Sequence, residues 1–173
     1  MEVKRDLRLF QRQTLQLIAK LVACIGLGLI PNLVMAQETV LYKDAKIDYE
    51  NLVKEYDQGY YGRCVRSAEK YLASYQDPDY YQLRLDAELY QLKSKLRMDS
   101  PAAVEDVLAF AKRNQPGAVA QRAILLAGDD AYSKHQYEEA INYFTSIDDR
   151  FLSGEEKSGL HFKLGYCLFI RKD

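Results

Sequence analysis

The 173-residue chain has no tryptophan, two histidines, three cysteines and four prolines. The shortage of histidine removes the side chain most used for proton transfer and metal binding near neutral pH. His135 and His161 stand apart from any cysteine or carboxylate pattern at metal-ligand spacing, and both read as surface histidines. GxSxG nucleophile turns, HExxH helices and glycine loops that cradle phosphate are missing as well. The expectation is a chain with no catalytic, cofactor-binding or metal-ligating residues, and so not an enzyme. Cys24, Cys64 and Cys167 form no CxxC. Cys64 and Cys167 fall on apolar helix faces and read as buried thiols acting as small hydrophobes, with a disulfide as the lesser alternative. No basic stripe is present. Beyond residue 36 there are nineteen Lys/Arg against twenty-three Asp/Glu, and a mildly acidic body has no attraction to phosphate backbones. No nucleic-acid partner is expected on that ground.

Long apolar runs are also scarce. Leu21–Ile30 holds ten apolar or glycine residues, about half of the roughly 20 that a spanning helix needs. The segment before it is basic, with Lys4, Arg5, Arg8, Arg12 and Lys20. Pro31–Asn32 and then VMA-QE come after it, so residues 1–36 read as a signal peptide cut after Ala36. Gln37 would begin the mature chain, residues 37–44 would be a short linker, and membrane contact would be limited to the signal segment. A retained anchor stays open as an alternative. LVAC, Leu21 to Cys24, spells a lipobox, but its apolar run lies after the cysteine rather than before it, which argues against lipid at Cys24.

What the chain does contain is helical periodicity. Apolar stripes recur at three- and four-residue spacing: Ala45–Tyr56, Cys64–Tyr75, Tyr81–Leu96, Val104–Ala111, Ala120–Ala131, Tyr137–Ile147 and Leu160–Leu168. Asp77–Pro78 and Ser100–Pro101 each read as an N-cap with a proline next to it in the first turn. NQPG at 114–117 breaks a helix, and Ser153 with Glu156 spells a capping box. The reading is all-α, seven helices of about 12–19 residues over 45–173. They fall into pairs with a period. Cys64, Val104 and Ala140 align at steps of 40 and 36; Leu52, Leu92, Gly128 and Gly165 align at 40, 36 and 37. Two helices per unit at such a period indicates a solenoid.

One unit is sharper than the others. In GDDAYSKHQYEEAINYF, Gly128 to Phe144, a small residue in the first helix is joined by Tyr137, Ala140 and Phe144 in the second. This resembles a tetratricopeptide repeat, and KLGYCLF places Leu164 and Gly165 in the Leu–Gly slots of a further unit. The resemblance implies a right-handed α-hairpin solenoid of about three and a half helix pairs, in which Gly128 admits Ala140 and Phe144. Leu52 and Leu92 stand where the family has a small residue, which implies wider contacts there. Aligning Gly165 with Gly128 sets Asp173 just before a second helix, so the array is expected to be truncated, a fragment of a longer one, and to self-associate through its last helix. The family's first helices line a concave, ligand-facing surface, which places Lys93, Arg97, Arg122, Asp129 and Tyr132 in a candidate partner groove suited to an acidic or carboxylate-terminated peptide.

Fourteen tyrosines, all beyond the signal region, include the pairs Tyr60–Tyr61 and Tyr80–Tyr81. The favoured role is to staple helix ends; stacking on sugar rings is the alternative. Together these readings give an exported, non-catalytic scaffold that binds a protein or peptide partner in the periplasm or cell envelope, including at the outer membrane. The signal joined to this repeat type points to a bacterial source. A glycan-binding envelope component and an adaptor within a longer multidomain protein are the rival readings.

Overall fold

Alternating stretches of strong helix formers and short polar breaks leave little room for other structure. The computed structural model describes residues 42–172, and among them every regular element is helical. α1 covers residues 42–57, α2 Tyr61–Ser74, α3 Tyr81–Arg97, α4 Ala103–Arg113, α5 Ala118–Ser133, α6 Tyr137–Thr145 and α7 Gly154–Arg171. The expected signal peptide, the cut at Gln37 and Cys24 all lie outside the described residues. So does most of the expected linker 37–44, although helix already runs at residue 42. The chain divides after Asp44, and the helix packing described below is that of the unit from Ala45 onward. Among the described residues no helix is long and apolar enough to cross a membrane.

The breaks obey local chemistry, with two corrections. Gly59 takes φ +77°, a conformation that costs glycine nothing, and its N–H donates to the Tyr56 carbonyl at 2.9 Å to close α1. Asp77 does cap, accepting the Asp79 N–H at 3.0 Å, but it opens a one-turn 3₁₀ helix, Pro78–Tyr80, rather than α3 itself. Ser100–Pro101 is not a cap at all. α4 begins at Ala103 behind Ala102, which sits in the left-handed region at φ +58° with no side-chain cap. The capping box of α7 is complete, with the Glu156 N–H donating to Ser153 Oγ at 3.2 Å and the Ser153 N–H donating to Glu156 Oε2 at 2.7 Å.

α4 and α6, with 11 and 9 residues, are shorter than the spacing predicts. At the end of α6 the hydroxyls of Thr145 and Ser146 donate back to the Ile141 and Tyr143 carbonyls, at 2.8 and 2.7 Å. Such local bonds satisfy the backbone without further helix.

Each helix from α2 to α7 packs on the next, and α3–α5 and α5–α7 also touch. The buried residues form three successive clusters. Leu52, Tyr56, Cys64, Ala68, Tyr71 and Ala87 join α1, α2 and α3. Leu92, Val107, Phe110, Ala123 and Ala127 are among those that join α3, α4 and α5. Leu125, Ala140, Ile141, Phe144, Leu160 and Cys167 join α5, α6 and α7. Full burial of each large side chain contributes about 1.5–3 kcal/mol. Cys64 and Cys167 belong to different clusters and are free thiols, so the disulfide alternative does not hold. Burial pushes both thiols above the ordinary range.

The tyrosines of α1–α3 pack ring to ring. Tyr61, Tyr56, Tyr90, Tyr49, Tyr71, Tyr75 and Tyr80 form a chain with successive centroids 4.7–6.3 Å apart. In each adjacent pair one ring packs and the other is exposed: Tyr60 and Tyr81 keep 51% and 59% of their surface.

Candidate functional site

Two arrangements concern the residues singled out by sequence. The first is the joint between α5 and α6. A methyl carbon placed on Gly128 would lie 2.5 Å from Phe144 Cε1 and 2.7 Å from Cδ1, so the ring rests directly on the glycine backbone. Ala140 is fully buried one turn before Phe144, and Phe144 is 2% exposed. Tyr137, at the start of α6, holds its hydroxyl 2.9 Å from His135 Nδ1 and packs its ring 6.3 Å from Tyr132. Gly165, by contrast, has nothing within 4 Å of where a Cβ would stand, and Leu164 packs half-buried against the last cluster.

The second arrangement is a cleft of about 650 Å³ across α3, α5 and α7. Each helix contributes one face: Leu89, Tyr90, Lys93 and Arg97 from α3; Arg122, Leu125, Leu126 and Asp129 from α5; Glu156, Gly159, Leu160 and Lys163 from α7. The α5 and α7 sets repeat the same offsets of three, four and seven, the spacing that holds side chains on one side of a helix. Tyr49 of α1 closes one end. A smaller hollow of about 360 Å³ shares Lys93, Arg97, Leu126 and Asp129 with it and runs on toward Ser133 and Lys134.

Four of the five residues expected in a partner groove therefore line one cleft: Lys93, Arg97, Arg122 and Asp129. Tyr132 does not. Its ring packs 6.3 Å from Tyr137 and 5.8 Å from Tyr166, which ties it to α6 and α7 rather than to the cleft. Tyr49, Tyr90, Glu156 and Lys163 also line the cleft, and the sequence reading placed none of them in the groove.

Asp86 and Glu155 also line the cleft, and its other charges fall into two groups. Toward α7 they neutralise one another. Arg122 Nε lies 3.2 Å from Glu156 Oε1, and Lys163 Nζ donates to Asp129 Oδ1 at 2.7 Å. Burial works against the charged form of Glu156. Its bonds with the Ser153 backbone and hydroxyl, and the guanidinium of Arg122, nevertheless hold its carboxyl below the ordinary range. Toward α3 the cations meet rings instead. Lys93 Nζ sits 4.5 Å from the Tyr56 ring centroid and 5.4 Å from that of Tyr90, and Arg97 Nε donates to Tyr56 Oη at 3.4 Å. That bond is the main reason the Arg97 guanidinium is raised above its usual range. The Tyr90 phenol is raised too, chiefly by burial.

The arrangement can hold an anionic group against Lys93 and Arg97 and apolar matter along Leu89, Leu126 and Leu160. Neither histidine lines it: His135 is in the α5–α6 turn, and His161 Nε2 lies 3.4 Å from Asp149 on the α7 surface. Among the described residues no group of three His, Cys, Asp or Glu is placed to hold a metal ion. No protein-family model, curated protein or solved structure matches this chain.

Proposed function

We propose that the chain is an exported, non-catalytic scaffold that binds an extended segment of a protein or peptide partner in the α3–α5–α7 cleft. In this reading the helices form a tetratricopeptide-like, right-handed solenoid, with α1, α3, α5 and α7 as the first members of successive pairs. The contacts of α3 with α5 and of α5 with α7, skipping one helix each time, support it. So does the ring-on-glycine joint of Gly128 and Phe144.

One observation carries the binding proposal. Three alternate helices turn the same kind of face into one cleft, and at its α3 end Lys93 and Arg97 are held by tyrosines rather than by carboxylates. A cation that packs on rings is suited to a carboxylate, which gains charge-assisted bonds there. The expected ligand is a peptide bearing an acidic side chain or a terminal carboxylate, with apolar residues running toward Leu160. The test is a peptide array that pairs each sequence in carboxylate and amide form. Binding should favour the carboxylate and fall at least tenfold in Lys93→Glu and Arg97→Glu, with thermal melts unchanged. Equal binding of both forms, unaffected by the two substitutions, would refute the cleft as the site.

The glycan reading has its own observation, the exposed rings of Tyr60, just before α2, and Tyr81, at the start of α3. Glycan-array binding that disappears in Tyr81→Ala would favour it over the peptide reading. Export is tested separately, by N-terminal sequencing of the envelope form, with Gln37 expected as the first residue.

A further inference from the structure

α7 buries only one side. Leu160 and Cys167 are buried, and Leu164 and Leu168 pack half-buried beside them. The opposite side carries Glu155, Phe162, Gly165, Tyr166 and Phe169, all exposed, the last four lying seven, ten, eleven and fourteen residues beyond the first. Phe162 and Phe169 keep 70% and 65% of their surface, the two largest exposures of big apolar side chains among the described residues, and Tyr166 keeps 41%. Between them Gly165 offers bare backbone. The seven-residue recurrence is that of a coiled-coil seam, a surface made for another helix.

We propose that this face pairs with the same face of a second copy, the two α7 helices running antiparallel about a twofold axis between Gly165 and Tyr166. The pattern is symmetric about that point. Phe162 and Phe169 lie equally far on either side of it, so each copy's Phe162 meets the partner's Phe169. Tyr166 then covers the partner's Gly165. A closed twofold contact requires one self-complementary patch, and this stripe is one.

Charge chooses the direction. Glu155 and Glu156 lie in the first turn of α7, Arg171 in the last, and Lys172 just after it. Antiparallel pairing sets the acidic start of each helix beside the basic end of the other and aligns the helix dipoles favourably, whereas parallel pairing stacks like charges. The chain also contains the same joint internally, where the Phe144 ring lies on Gly128. Tyr166 is already held in place by ring contacts to Tyr132 and Tyr137, at 5.8 and 6.0 Å, which lowers the entropy lost on docking. Three rings per copy bury less than the roughly 1,200 Å² of a standard interface, so the dimer is weak, with a dissociation constant on the order of micromolar to tens of micromolar.

Sedimentation of the full chain from about 1 to about 100 µM spans that range. Every variant shares residues 1–41, so differences between variants belong to α7. The wild type should pass from monomer to dimer. Phe162→Glu and Phe169→Glu should each weaken association at least tenfold. Gly165→Leu should do the same while leaving the monomer's melting temperature no lower, because its side chain enters open space in the monomer and meets the partner's Tyr166 in the dimer. Under oxidation Tyr166→Cys should form a disulfide dimer. Phe162→Cys and Phe169→Cys should cross-link when mixed and not when alone, with the unsubstituted chain as control. A wild type that stays monomeric throughout overturns the proposal. So does a dimer indifferent to Gly165→Leu, or a Phe162→Cys chain that cross-links to itself.

Discussion

Replacing Gly128 by alanine adds one methyl group where the Phe144 ring already lies, 2.5 Å from the new carbon at its nearest atom. Carbon atoms settle at about 3.5–4.0 Å, so the ring or the whole of α6 must retreat by roughly 1 Å. The ring has nowhere to go. It is 2% exposed and shares its cluster with Leu125, Ile141 and Leu152. Overpacking of this kind costs about 1–3 kcal/mol. Alanine's better helix propensity returns about 1 kcal/mol. The net expectation for Gly128→Ala is a loss of about 0–2 kcal/mol.

Gly165→Ala is the internal control. It stands in α7 with nothing within 4 Å of where its Cβ would lie, so only the propensity gain remains, about 0.5–1 kcal/mol. Urea unfolding monitored by circular dichroism, at a concentration low enough to keep the chain monomeric, reads both. Gly165→Ala should be the more stable variant, with unfolding free energies separated by about 0.5–3 kcal/mol. Phe144→Leu in the Gly128→Ala background should show a favourable coupling of about 1–2 kcal/mol, because it removes the obstructing ring edge. If Gly128→Ala stabilises as much as Gly165→Ala, the ring does not rest on that glycine and α5 and α6 are not closely joined there.

The packing sets three further outcomes. Ala140→Leu, at a fully buried position on the same joint, should destabilise by about 1–3 kcal/mol in a thermal melt. Ser153→Ala removes the acceptor for the Glu156 N–H and should cost about 1 kcal/mol, with the earliest loss of amide protection in the first turn of α7. Tyr143 is pushed up to about 12 by burial and by its bond to Glu139, so the folded chain keeps a proton there that the unfolded chain releases near 10. The stability it contributes is complete below about pH 10 and disappears as pH rises toward about 12. Tyr49, Tyr90 and Tyr137 are raised as well. The check is therefore a spectrophotometric phenol titration of the wild type against Tyr143→Phe. Loss of part of the late component would show it, and an identical late component would not fit.

The residues explain how far the sequence could be read. The helices, and the closeness of Gly128 to Phe144, were legible because both depend on offsets of three, four and sixteen within a short stretch. The cleft was half legible. The resemblance, whose first helices line a concave surface, picked out Lys93, Arg97, Arg122 and Asp129, and all four do line the cleft. Their partners were not legible. Lys163 reaches Asp129 from 34 residues away and Glu156 reaches Arg122 from the same distance, and only the docking of α7 brings them together. Glu156 was hidden further because its capping role explains it fully from local sequence. Tyr132 misled for the opposite reason. Its offset from Asp129 suits the cleft face, yet Tyr137 and Tyr166 draw the ring away. The start of α4 was misplaced because Ser100–Pro101 fits a cap pattern that the left-handed turn at Ala102 replaces.

α5 has nine buried residues and belongs to two of the three clusters, and its Gln121 Oε1 also accepts the Asp148 N–H at 3.0 Å from the loop beyond α6. It can unfold only if both clusters and that loop give way together. α1 and α7 each belong to one cluster. Opening should therefore proceed from the two ends toward α5, and the amide hydrogens of α5 should be the last to exchange with solvent. A ligand lying across α3, α5 and α7 would bridge the stable middle to a looser end, so its grip would be felt most as slower fraying of α7.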